Sequence, residues 1–127
     1  LHAKVYADML GKKITRHNTK VYLINTGWTG GPYGVGKRMN LKYTRSMVTA
    51  ALNGDLEKAQ FVHHDIFNLD MPSSCPGVPD GVLDPRSTWP DKDKYDAAAK
   101  RLAMLFVKNF EKFGDIPREI RNAGPSI

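Results

Sequence analysis

Val21-Tyr22-Leu23-Ile24-Asn25-Thr26-Gly27-Trp28-Thr29-Gly30-Gly31-Pro32-Tyr33-Gly34-Val35-Gly36-Lys37-Arg38 is the stretch on which the reading of this chain turns. Val21 to Ile24 is a short apolar run rich in β-formers. It predicts a strand buried on both faces, as in a parallel sheet. A glycine-rich loop from Gly27 to Gly36 follows at once, and a helix is expected from about Met39 to Asn53. Strand, glycine loop and helix N-terminus together make an anion site: glycines let backbone N–H groups approach an oxygen, and the helix dipole favours negative charge. Lys37 and Arg38 add full charges. Gly31-x-x-x-x-Gly36-Lys37 matches most of the phosphate-loop pattern, but Arg38 stands where a Ser or Thr would hold magnesium. Two readings stay open on this pattern: a nucleotide or phosphate contact, or a flexible connector with clustered basic residues.

Outward from the loop, Leu1 to His17 reads as a helix, with Val5, Tyr6, Met9, Leu10 and Ile14 at spacings of three and four. The helix after the loop has Leu41, Val48, Ala51 and Leu52 as its apolar stripe and Asn53-Gly54 as its stop. Phe61 to Phe67 is expected to be a short, half-exposed strand. Met71 to Pro90 carries five prolines and is expected to run irregular and extended across the surface. A long last helix starts after Pro90, with Asp91 as N-cap, one side lined by Tyr95, Ala99, Leu102, Phe106, Phe110 and Phe113, and Gly114 as its end. From Asp115 onward a polar, fraying tail is expected. The order indicates α/β, but one or two strands make no stable sheet, so further strands or further chain must complete it.

With 127 residues, 41% apolar and 25% charged, the chain has the composition of one globular domain. No apolar run approaches the roughly 20 residues that span a bilayer, and no signal-peptide core is visible. One cysteine, Cys75, excludes an intrachain disulfide and makes a cytoplasmic setting the default. A formal net charge of +6 favours an anionic partner or is ordinary solubility charge.

The run Tyr22 to Met39 closely resembles the C-terminal region of ATP-dependent phosphoenolpyruvate carboxykinases. So do Leu41-Lys42-Tyr43-Thr44-Arg45, Pro76-Gly77-Val78-Pro79 and Leu83-Asp84-Pro85-Arg86-Ser87-Thr88-Trp89. The resemblance implies that residues 1–127 are the C-terminal portion of that enzyme's nucleotide-binding domain, a mixed α/β unit with few strands of its own and a long C-terminal helix. It implies a gluconeogenic reaction in which oxaloacetate and ATP become phosphoenolpyruvate, ADP and carbon dioxide. Mg2+ and Mn2+ would act in the whole enzyme, with ligands outside this chain, and no catalytic residue is expected within it. Arg38 matches an arginine around the nucleotide base and ribose, and Thr44 a threonine on the adenine side. Gly36 and Lys37 are expected as their neighbours. The expected partners are ATP, oxaloacetate and the upstream part of the same enzyme, with neither nucleic acid nor membrane. The alternative is a stand-alone nucleotide- or nucleic-acid-binding module without catalysis.

Other residues read more plainly. His63 and His64 would face opposite sides of a strand and share no metal. Cys75 has no activating base in sequence and is read as unreactive. Asp84, Arg86 and Asp91 are expected to form an ion-pair cluster. Trp28 and Tyr33 either stack on a base or cover the loop, and cover is favoured.

Overall fold

The computed structural model describes residues 3–114 and 116–127. Helix α1 spans Ala3–His17, and none of its residues is buried. After it, residues 18–27 run without regular structure into a two-stranded antiparallel ribbon, β1 (Trp28–Thr29) with β2 (Lys37–Arg38). Helix α2 (Leu41–Leu52) follows and leads into a 3-10 turn, Asp55–Lys58. A hairpin comes next, β3 (Phe61–His64) against β4 (Leu69–Pro72). Two short helices, α3 (Asp80–Leu83) and α4 (Pro85–Thr88), precede the long α5 (Lys92–Phe110), and α6 (Arg118–Asn122) lies near the end. The architecture is mixed helix and strand, with few strands and a long C-terminal helix.

The strand expected at Val21–Ile24 does not form. Among the described residues it has no ladder partner, and without one an extended run is not a strand. Val21 and Leu23 are exposed, while Tyr22 packs against the small core. Both sheets are antiparallel ribbons, not the parallel sheet expected. The glycine-rich stretch is therefore the tip of a hairpin rather than a strand-to-helix loop.

Helix α2 is well specified at its ends. The Asn40 side chain accepts from the Lys42 N–H at 2.9 Å, which satisfies one of the first-turn donors. Asn53 caps the other end and Gly54 turns the chain at φ 75°. Its packed face differs from the expected one. Tyr43, Thr44, Met47, Ala50 and Ala51 turn inward, whereas Leu41, Val48 and Leu52 are exposed. The inner face meets Leu56, Cys75 and Val78.

Residues 71–90 are not an extended surface strip. Met71 and Pro72 belong to β4, Cys75 and Val78 face each other across a turn and are both buried, and two helical turns follow. Local chemistry explains the second turn. Asp84 accepts from the Arg86 N–H, and Pro85 takes the first helical position, where its missing N–H costs nothing.

Helix α5 starts as expected, with Asp91 accepting from the Lys94 N–H at 3.1 Å. Tyr95, Ala99 and Ala103 are its buried residues, at strict spacings of four. Leu102 and Phe106, placed on the packed side by their periodicity, are about half exposed. Gly114 ends the following 3-10 turn at φ 71°. Asp115 lies outside the described residues. Beyond it the tail does not fray: α6 forms, the Asn68 side chain donates to the Asn122 carbonyl, and the Ser126 N–H donates to the Ile66 carbonyl.

The core is small: among the described residues seven hydrophobic ones are buried, three of them alanines. The accessible surface is 9766 Å² for 14.2 kDa. A compact monomer of that mass exposes about 6,800 Å². Large apolar side chains are exposed on α1, on the outer stripe of α2 and on the second half of α5, among other places.

Candidate functional site

The ribbon β1–β2 pairs Trp28 with Arg38 and Thr29 with Lys37. Directly opposed residues share a face and successive ones alternate. Arg38 and Trp28 therefore stand on one face, Lys37 and Thr29 on the other. The two neighbouring cations do not converge on one anion, contrary to the expectation that both charge a single helix N-terminus. They also precede α2 by several residues, so the helix dipole and the cations act at different places.

The neck of the ribbon is held by close backbone approach. A Cβ on Gly36 would lie 2.5 Å from the Gly31 carbonyl oxygen and 2.8 Å from that of Thr29, so only glycine fits. The tip is a turn in which the Val35 and Gly36 N–H groups donate to the Pro32 carbonyl at 3.0 and 2.9 Å. Trp28 and Tyr33 meet edge to face, with centroids 5.2 Å apart, and both stay exposed. Below the neck, the Met39 N–H donates to the Gly27 carbonyl at 2.9 Å and carries the pairing to the start of α2.

Thr44 lies in the second half of the first turn of α2, six positions after Arg38. It is 8% exposed, and its Oγ1 has no hydrogen-bond partner among the described residues. A buried hydroxyl left unpaired costs about 1–3 kcal/mol. Arg38 and Lys37 are exposed and make no ion pair among the described residues. The ribbon thus presents a guanidinium without an ion-pair partner among the described residues, shortly before a helix whose first turn holds an unsatisfied hydroxyl.

Two grooves lie elsewhere. One of about 340 Å³ runs along α2 between Lys42, Arg45, Thr49, Asp55 and Pro76. The other, about 570 Å³, lies between the β3–β4 hairpin and α5. Neither is lined by Gly36, Lys37, Arg38 or Thr44. Lys37 and Arg38 stand exposed on opposite faces of the ribbon, whereas Thr44 is buried in the first turn of α2.

His63 and His64 do face apart. His63 Nδ1 pairs with Asp70 at 2.9 Å on the exposed side, and His64 Nε2 meets the Tyr95 hydroxyl at 2.8 Å on the inner side. Burial, then the charges of Asp84 and Asp96, pushes the Tyr95 phenol up. Burial, then Asp55, pushes the Cys75 thiol up, which suits a packed and inert cysteine. Among the described residues no three His, Cys, Asp or Glu side chains converge as metal ligands.

The expected cluster of Asp84, Arg86 and Asp91 is replaced by a different pair. Arg86 grips Asp96 with two parallel bonds of 2.9 and 3.0 Å, while Asp84 and Asp91 serve as helix caps. The hydrogen bond from Arg86 holds the Asp96 carboxyl below its ordinary value.

Two residues near the ribbon escaped sequence reasoning. Thr88 Oγ1 accepts from the Gly30 N–H at 3.2 Å and donates to the Pro85 carbonyl at 2.7 Å. Lys92 Nζ donates to the carbonyls of Arg86, Ser87 and Trp89 at 3.0, 2.9 and 2.8 Å. The cap-and-proline pair Asp84-Pro85 was the available signal for α4. Nothing local tells that its end touches Gly30, 58 positions away.

A family model described as phosphoenolpyruvate carboxykinase matches residues 1–81. A phosphoenolpyruvate carboxykinase (ATP) of Caldanaerobacter subterraneus is 60% identical over 121 residues, covering 95% of this chain and 23% of the relative. That of Fusobacterium nucleatum is 63% identical over 122 residues, with 95% and 23% covered. That of Brevibacillus brevis is 58% identical over all 127 residues and 24% of its own length. The chain thus spans about a quarter of the length of the curated relatives it matches.

Proposed function

The chain belongs to the phosphoenolpyruvate carboxykinase family, and from that membership we propose that residues 1–127 are the C-terminal portion of the nucleotide-binding domain of an ATP-dependent enzyme. The whole enzyme converts oxaloacetate and ATP to phosphoenolpyruvate, ADP and carbon dioxide. This part supplies one side of the ATP pocket and no catalytic residue. The names of the relatives, each a carboxykinase (ATP), support the choice of nucleotide.

The observation that carries the reading is the unpartnered Thr44 hydroxyl, buried in the turn that follows an unpaired Arg38. In this reading, Arg38 donates to the ribose and packs on the base, and the Thr44 hydroxyl pairs with a polar edge of adenine. Gly36 lets the ribbon's backbone close tightly, and Lys37 sits on the opposite face as a weaker neighbour. Mg2+ and Mn2+, when bound, neutralise charge on the transferring phosphoryl group and the enolate. Their ligands are assigned to the rest of the enzyme, as are the contacts to oxaloacetate. No helix among the described residues is long and apolar enough to cross a membrane, and the proposed setting is cytoplasmic. The relatives give no support to a stand-alone nucleic-acid module.

The test is Arg38→Ala in the full-length enzyme. ATP affinity measured by calorimetry should fall by about 1–3 kcal/mol, the span of hydrogen bonds to charged groups. Oxaloacetate affinity should change little. Unaltered ATP affinity would remove Arg38 from the pocket.

A further inference from the structure

We infer that Thr88 and Lys92 are positioning residues for the nucleotide face, acting through the neck of the glycine-rich ribbon. The inference rests on the reading of Arg38 as an ATP contact. Its geometry is independent of that reading.

Arg38 lies on a ribbon only two residues per strand long. Such a ribbon has little stability of its own. Among the described residues, one hydrogen bond ties it to anything beyond α2: the Gly30 N–H to Thr88 Oγ1, 3.2 Å. The contact is close on both sides, since a Cβ on Gly30, whose φ is +77°, would lie 3.2 Å from the Thr88 carbonyl oxygen. The Thr88 hydroxyl is aimed by its own donation to Pro85. It therefore has a lone pair directed at Gly30.

The platform that presents Thr88 is the single turn of α4, too short to persist unaided. Its C-terminal carbonyls need donors. Lys92 supplies them, one ammonium bonded to the carbonyls of Arg86, Ser87 and Trp89. An ammonium has three donors in a tripod, which suits three converging carbonyls. A planar guanidinium does not. Arg86 then fastens the same turn to α5 through Asp96. The connection runs from α5 through Lys92 to the end of α4, through Thr88 to Gly30, and across the β1–β2 register to Arg38.

Thr88→Val keeps the branched shape and removes the acceptor, while Thr88→Ser keeps the hydroxyl. In the full-length enzyme, Thr88→Val should raise the KM for ATP about three- to tenfold, the loss of one hydrogen bond, with kcat within about twofold. Thr88→Ser should restore the KM, and Lys92→Met should reproduce the Val phenotype where Lys92→Arg gives no rescue. A raised KM in both Thr88→Val and Thr88→Ser would overturn the inference, because the hydroxyl would not be the cause. A normal KM in Thr88→Val alongside a raised KM in Arg38→Ala would overturn it and leave the pocket reading standing. Normal KM values in both Thr88→Val and Arg38→Ala would overturn both.

Discussion

At the scale of single residues, the informative group is the one without a partner. Thr44 is buried, and its hydroxyl has no hydrogen-bond partner among the described residues. Valine has the same branched shape without the polar atom, and removing an unsatisfied group can stabilise. Thr44→Val in the full-length enzyme should therefore leave the melting temperature without ATP unchanged or higher. The rise in melting temperature on adding ATP should shrink. A lower melting temperature without ATP, with the ATP-induced rise intact, would mean that the hydroxyl is satisfied within the protein. The sequence singles out Arg38 by its charge beside the glycines and by motif resemblance, and Thr44 by resemblance alone. Of the apolar stripe expected on α2, Ala51 packs inward beside Thr44, while Leu41, Val48 and Leu52 are exposed. Thr88 and Lys92 were not legible, because each owes its role to carbonyls and an N–H brought together by tertiary structure.

At the scale of elements, caps were read well and faces poorly. Asp91 starts α5 and Asn53-Gly54 ends α2, since a cap is decided by two or three neighbouring residues. The strand at Val21–Ile24 failed because pairing is a property of two segments, and no second segment among the described residues pairs with it. The β3–β4 hairpin was half seen. Its turn depends on Asn68 at φ 53°, a conformation asparagine tolerates better than most residues. The tie between α4 and α5 carries a pH prediction. The carboxyl of Asp96 is held below its ordinary value of 3.8 by the hydrogen bond from Arg86, and that of Asp91 by the Lys94 backbone N–H. A depressed carboxylate contributes stability that is present above its unfolded value and is lost as pH falls through the folded one. The protection of the Arg86 and Trp89 amides, taken relative to intrinsic exchange at each pH, should therefore hold down to about pH 4 and fall below it. Asp96→Asn should flatten that acid dependence. The change near neutrality should be small, because the pair is solvent-screened. Identical acid profiles for Asp96→Asn and the native chain would exclude Asp96 as the titrating group.

At the scale of the whole molecule, surface outweighs core. The exposed area exceeds that of a compact monomer by about 3,000 Å². An excess of that size is comparable to a large, permanent interface. Uncovered apolar residues include those of α1, the outer stripe of α2 and the second half of α5. The sequence already hinted at this through its shortage of strands, whereas the exposure of Leu102 and Phe106 could be seen only in the fold. The excised chain should bind hydrophobic dyes, associate with rising concentration in light scattering, and show no carboxykinase turnover. A strict monomer that binds no dye would show that the surface is self-sufficient. Measurable turnover would refute the assignment of the catalytic groups to the rest of the enzyme.

The two tryptophans divide these scales between them. Trp28 is exposed on the same ribbon face as Arg38, while Trp89 is half-buried, edge to face with Tyr95 at 5.6 Å, beside the carbonyls that Lys92 holds. The chain thus carries two intrinsic fluorophores with separate duties. Emission from Trp28 should respond to an occupant of the nucleotide face, and emission from Trp89 to the integrity of the α4–α5 junction. With one indole replaced by phenylalanine at a time, spectroscopy can follow occupancy and folding separately without an added label.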